Sequence, residues 1–228
     1  MASHITPELF SYLRALKRNN TREWFKKNQD RYESVLREPL RAFIRDFEAP
    51  LARLSPHFVA DDSKVGGSLF RIHKDTRFSK DKTPYKTNSG IHFRHELAKD
   101  VHAPGFYLHL EPGRVFVGAG IWHPDTDTLR QIRERIVEKP AEWKKVMRSR
   151  VIASGTAELA GESLKRPPRG FDGVHELIED IKRKDFIGVI DLDEKTACSP
   201  TFARTIAGHY KSMLPLMRFC CDAIGVSC

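Results

Sequence analysis

The sequence predicts an α+β fold, a mostly antiparallel sheet packed against N-terminal and C-terminal helices, and three observations carry the prediction. Apolar residues recur at helical spacing through the first quarter of the chain, alternate one by one through residues 106–122, and return to helical spacing after Pro124. Pro112-Gly113 separates two alternating runs and supplies the turn between them. At 228 residues, 40% hydrophobic and 30% charged, the chain is long and apolar enough to bury a substantial core. Residues 1–228 are read as one domain: helical at 6–54, a basic loop with strands at 58–122, then helices and one strand at 125–225.

Thr6 can cap a first helix with Pro7 at its first position, and Leu9, Phe10, Leu13 and Leu16 form one stripe until Asn19 and Asn20 break it. Thr21 offers the next N-cap oxygen, with Glu23 in the first turn. From Trp24 and Phe25 to Phe47 and Leu51 the apolar spacing stays near-helical, with a kink or a fresh start expected at Pro39 and a last turn near Pro50. Leu69, Phe70 and Ile72 read as a short extended run, and Ile91 and Phe93 alternate with His92 and Arg94.

In residues 106–111, Phe106, Leu108 and Leu110 face one side, while Tyr107, His109 and Glu111 face the other. In residues 114–122, Val115, Val117, Ala119 and Ile121 share one face. Phe116, Gly118, Gly120 and Trp122 share the opposite one, so two glycines clear space beside two aromatics for a helix, another backbone or a ligand. Leu129, Ile132, Ile136 and Val137 restore the helical stripe, which restarts at Pro140 through Trp143, Val146 and Met147. A short helix around Leu177 and Ile181, a strand at residues 186–190 and a long C-terminal helix interrupted by Pro215 complete the chain.

Charge is concentrated. Residues 71–88, RIHKDTRFSKDKTPYKTN, hold six cations and two carboxylates, +4 of the chain's +9. The segment is too polar for core and too aromatic for a plain linker, which points to an anionic partner. Arg71 and Arg77 offer planar forks for phosphate or carboxylate, and Lys80, Lys82 and Lys86 act as point charges. If that partner is nucleic acid, Phe78, Tyr85 and Trp122 can stack bases while the cations follow the backbone, a combination suited to single strands. If it is small, the same groups close a phosphate pocket. The competing structural reading pairs Arg71, Asp75, Arg77 and Asp81 with one another and with Glu23 or Glu33, pinning the loop to the helical layer.

Reaction signatures are weaker. His92 and His95 are three apart in a strand-like run and point to opposite faces, which argues against chelation by that pair. Asp191, Asp193 and Glu194 can gather at a strand end, where such clusters more often cap the next helix. Gly118-Ala119-Gly120 lacks the later glycine of a dinucleotide fingerprint, and no GxSxG, Walker A, HExxH or zinc-knuckle spacing occurs; no cofactor and no metal are expected. A hydrolase could use Asp75 or His73 as base beside Arg77 and Lys82. The N-terminus lacks a basic region followed by an apolar run, and no stretch approaches the roughly 18 apolar residues of a membrane span. With Cys198 isolated and Cys220, Cys221 and Cys228 lacking a CxxC spacing, a reducing cytoplasm and no membrane are expected.

Four blocks carry a resemblance: NNTREWFKKNQDRYE at 19–33, RIHKDTRFSKDKTPYKTN at 71–88, PGFYLHLEPG at 104–113, and the tail from RPPRGFD through KRKDF to SPTF. Together they resemble a widespread bacterial family known as domain of unknown function twenty-four sixty-one, over nearly the whole chain. The resemblance implies a single α+β domain in the cytosol and no established activity. Function is therefore expected from the residues: an anion- or phosphate-binding domain acting through Arg71, Arg77, Lys80, Lys82, Tyr85, Lys86 and Trp122 on nucleic acid or a nucleotide-like ligand. The alternatives are an enzyme on a phosphorylated or carboxylated metabolite, and a structural or protein-interaction module. The sequence sets no oligomeric state.

Overall fold

Helix α1 (Pro7–Arg18) starts with Pro7 in its first turn and buries Leu9, Phe10, Leu13 and Leu16, the stripe read from the sequence. In this computed structural model, which describes residues 3–77, 79–97 and 103–228, α2 (Arg22–Lys27) follows at once. Thr21 caps it by accepting a bond from the Trp24 amide at 3.2 Å. A short α3 (Gln29–Tyr32) runs through one π-helical turn, Glu33–Arg37, into α4 (Glu38–Ala52). The Glu38 amide reaches back to the Glu33 carbonyl, so the widened turn delivers Pro39, which has no N–H to give, into the first turn of a new helix.

The strands β1 (Phe58–Val59), β2 (Ser89–His95), β3 (Gly105–Glu111) and β4 (Arg114–Ile121) pair antiparallel in sequence order. After α5 (Thr126–Glu138), α6 (Pro140–Met147) and α7 (Arg150–Ala153), β5 (Glu158–Ala160) forms the far edge. Beyond α8 (Ile178–Ile181), β6 (Phe186–Leu192) inserts between β4 and β5, giving the order β1-β2-β3-β4-β6-β5 with every pairing antiparallel. The chain closes with α9 (Glu194–Ala197) and α10 (Phe202–Ala223). Asp193, one of three clustered carboxylates, caps α9 by accepting from the Thr196 amide at 2.6 Å.

Register decides what each face carries. Phe106 sits opposite Ala119 and Leu108 opposite Val117, which in turn faces Ile190, so one face is continuously apolar. That face is buried beneath α4 and α10 with α1 beside them, and Tyr210 of α10 donates to the Tyr107 carbonyl at 3.0 Å. A second apolar cluster joins Ile132, Ile136 and Trp143 to Phe186 and Phe219. Among the described residues no helix is long and apolar enough to cross a membrane.

The basic segment differs from the open loop its composition suggests. Phe70 and His92 exchange backbone bonds with Gly90 and Ser68 (2.9 and 2.8 Å), laying residues 68–70 along the edge of β2. Lys86 then donates to Ile72 and Lys74 to Pro84 (2.7 and 2.9 Å), folding 71–86 into a two-armed ribbon with its tip at 75–83. The extended run expected at 69–72 is therefore the first arm, held by isolated bridges at Leu69 and His73. Glu33, expected among the loop's partners, bonds Arg37 instead. Asn20 fastens the second arm, bonding both the carbonyl and the amide of Tyr85 (2.9 and 3.1 Å).

Candidate functional site

Among the described residues, no helical layer covers the centre of the second face of the sheet. Alternation puts His92, Tyr107, His109 and Phe116 there, joined by Val189 of β6 and Ala160 of β5. Two glycines let the rings lie against the backbone. A side chain at Gly90 would strike the Tyr107 ring, with Oη at 2.5 Å, and one at Gly105 would strike the His92 imidazole. The space expected at Gly118 and Gly120 is filled by β6: Ile187 approaches the first at 3.0 Å, and the Phe186 carbonyl closes on the second.

Above this floor lies a hollow of about 660 Å³, walled by Phe70 of the ribbon and by Trp122 and rimmed by Arg71, Lys86 and Arg114. Its lining holds these three cations and no carboxylate. Lys86 Nζ stands 5.3 Å over the Phe70 ring, and the Arg114 guanidinium 5.1 Å over Phe116. Among the described residues none of the three cations forms an ion pair. Burial, and after it the Arg71 charge, pushes the Lys86 ammonium below its ordinary pKa. Outside the lining, Asp75 feels the Arg71 charge, and Glu111 stands opposite Arg114 in the register of β3 and β4.

Trp122 is positioned from behind. The next residue, His123, has φ +49°, an uncommon conformation for a non-glycine. Fully buried Asp185 accepts from the His123 amide at 2.8 Å and from the Glu162 amide at 3.0 Å, tying this corner to β5. Beside the hollow, Tyr107 Oη contacts His109 Nδ1 at 3.2 Å, and His109 Nε2 contacts Glu111 at 3.4 Å. The His109 ring stacks on Phe116 with centroids 4.5 Å apart. Burial raises the Tyr107 phenol to about 12 and lowers His109, with Glu111 opposing the latter shift.

The residues singled out by sequence divide between ribbon base and tip. Arg71, Lys86 and Trp122 come together at the hollow. At the tip, Arg77 forks onto Asp75 (2.6 Å from Nη2, 3.0 Å from Nε), and this pairing holds the Asp75 carboxyl down near 2. Lys82 Nζ is bonded to the Thr76 carbonyl at 2.9 Å, and Lys74 bonds Asp81 at 2.6 Å. Lys80 is exposed on the tip, outside the hollow's lining. Tyr85 is buried, its ring stacked on Phe25 at 4.1 Å, and His73 packs edge-on against the same Phe25. Asp75 and His73 thus sit away from the hollow. Phe78 lies outside the described residues. Sequence reasoning did not single out Arg114, Phe70, Tyr107 or Phe116 as site residues, although alternation had set Tyr107 opposite Phe106 and Leu108 in one strand, and Phe116 with Trp122 opposite Val115 and Val117 in the next.

Residues 8–219 match a family described as conserved hypothetical protein (DUF2461). No curated protein matches the chain.

Proposed function

The chain belongs to the DUF2461 family, and from the geometry of its uncovered sheet face we propose that it binds a phosphate-bearing ligand with a planar ring, of the nucleotide kind. The observation that carries this reading is the convergence of three cations, with no carboxylate in the lining, on an aromatic-walled hollow of about 660 Å³. Arg71 and Lys86 take the phosphate, one as a fork and one as a point charge, and Trp122, 44% exposed, offers the face on which a ring stacks. Arg77 and Lys74 are spent on Asp75 and Asp81, Lys82 bonds the Thr76 carbonyl, and Lys80 stands exposed outside the hollow's lining, so the tip adds little to recognition there.

The test is a fluorescence titration with adenosine monophosphate at low ionic strength. Of the three tryptophans, Trp143 is fully buried and Trp24 partly so, leaving Trp122 as the reporter at the hollow. Saturable quenching, lost in Trp122→Leu and weakened at least tenfold in the double variant Arg71→Ala, Lys86→Ala, is the expected result. An unresponsive protein would leave the structural or interaction module as the better reading.

One observation favours a second reading, an enzyme acting on a phosphorylated or carboxylated metabolite. With its proton on Nε2 toward Glu111, His109 can accept from the Tyr107 hydroxyl, giving the wall of the hollow an acid–base chain. Turnover of a metabolite, abolished in Tyr107→Phe with binding retained, would favour it. The expected reducing cytoplasm remains part of this proposal: Cys220 and Cys221 are buried, and burial pushes the Cys220 thiol well above its ordinary value, as in an inert thiol.

A further inference from the structure

Behind the ridge made by Phe70 and Arg71 lies a second hollow of about 240 Å³, and these two residues line both. It lies between the first arm of the ribbon and the helical layer, with Phe25 and Tyr32, ring centroids 5.3 Å apart, among its lining. Its cations differ in standing. Arg37 is bonded to Glu33 at 2.8 Å, and Arg41 to Glu38 and to the Asp62 carbonyl at 2.9 and 2.7 Å. Lys64 is exposed and, among the described residues, forms no ion pair; Arg71 on the ridge forms none either.

We infer that the ligand is a chain: a single-stranded nucleic acid segment of at least two nucleotides that crosses the Phe70–Arg71 ridge. This rests on the nucleotide reading of the larger hollow and extends it. In a single strand one phosphate lies between successive bases, and the structure repeats that order, a ring-sized aromatic hollow on each side of one unpaired guanidinium. The larger hollow takes one nucleotide against Trp122, with Lys86 and Arg114 on its outer phosphate. Arg71 takes the bridging phosphate, and the neighbouring base enters the smaller hollow with Lys64 at its mouth. Rings seated in two recesses must be unstacked from a partner strand, so a duplex is not the ligand.

The experiment compares three probes by tryptophan fluorescence: adenosine monophosphate, adenosine 3′,5′-bisphosphate, which adds a phosphate but no ring, and the dinucleotide pApA. We expect pApA to bind about tenfold tighter than the bisphosphate, as one further seated base implies. Lys64→Ala should remove most of that gain, and an oligoadenylate paired with its complement should compete poorly where the unpaired oligoadenylate competes well. Equal affinity of pApA and the bisphosphate, or a gain untouched by Lys64→Ala, overturns the inference while leaving the single-nucleotide site intact. Failure of all three probes to bind overturns both.

Discussion

Replacing Arg71 by alanine should weaken binding of a single-stranded oligonucleotide and flatten its salt dependence, whereas Arg77→Ala, six positions along the same basic run, should do neither. The difference follows from how the two guanidiniums are employed. Arg71 forms no ion pair among the described residues and rims the hollow, while Arg77 is forked onto Asp75 at 2.6 Å on the ribbon tip. If Lys86 and Arg114 together neutralise the outer phosphate, Arg71 the bridging one and Lys64 the next along the strand, log K should fall against log salt with a slope of about −2.1, at about −0.7 per phosphate on a single strand. Raising salt from about 50 to about 200 mM then costs the wild type roughly eighteenfold in affinity and Arg71→Ala only about sevenfold, its slope being about −1.4. At fixed low salt the lost charge-assisted bonds are worth about 1.5–3 kcal/mol, or roughly ten- to hundredfold. Fluorescence anisotropy with a labelled oligoadenylate across a salt series reads both quantities. Should Arg77→Ala lower the slope as much as Arg71→Ala, the division of the ribbon into a binding base and a tip whose Arg77 is neutralised by Asp75 would be refuted.

Asp185→Ala takes the shared acceptor from two amides, those of His123 and Glu162, at about 0.5–1.5 kcal/mol each, and should lower the melting temperature while shifting Trp122 emission; an unchanged emission maximum would contradict its positioning role. Tyr12 carries a buried hydroxyl with no hydrogen-bond partner among the described residues, so Tyr12→Phe should be neutral or stabilising by up to about 1 kcal/mol, and a marked drop in melting temperature would count against that. Burial holds His109 below its ordinary value of 6.5, so the unfolded chain binds more protons in the window below that pH. The resulting stability is present in full above 6.5 and declines as pH falls through the lowered folded-state value. Denaturant titrations at pH 7.5 and 5.5 should show this loss, and His109→Asn should reduce it; an equal loss in the variant would place the effect elsewhere.

Much of the fold could be read from local pattern because local pattern is its physical cause. The stripe at Leu9, Phe10, Leu13 and Leu16 has only one way to be buried, and the alternation of Phe106, Leu108 and Leu110 against Tyr107 and His109 assigns each side chain to a face before any partner is known. Residues 58–59 were not named individually within the stretch at 58–122 read as basic loop and strands, and 158–160 were not read as a strand, since two or three residues form a strand only where an existing edge offers hydrogen bonds. The insertion of β6 between β4 and β5 likewise has no local signature. The turn widened at Glu33–Arg37 is a response to Pro39, but its form depends on packing on both sides.

For the candidate site, the chain's own order announced a cationic segment and an aromatic face, and Arg71, Lys86 and Trp122 were nameable from residue type alone. Which of the ribbon's cations remain available was settled by three-dimensional pairing. Asp75 reaches Arg77 locally, two residues along, and Asp81 meets Lys74 because the tip curls back, while the ribbon's antiparallel arms set Arg71 and Lys86 at a hollow whose lining holds no carboxylate. Arg114 was silent in sequence because one cation at the start of a strand is ordinary; it gains meaning only when the register of β3 and β4 sets it beside Phe116 at the rim. Sequence by itself determined how much charge and which side of the sheet. Tertiary structure decided which charges are left over, because neutralisation depends on distances of a few ångströms between residues that composition can only count.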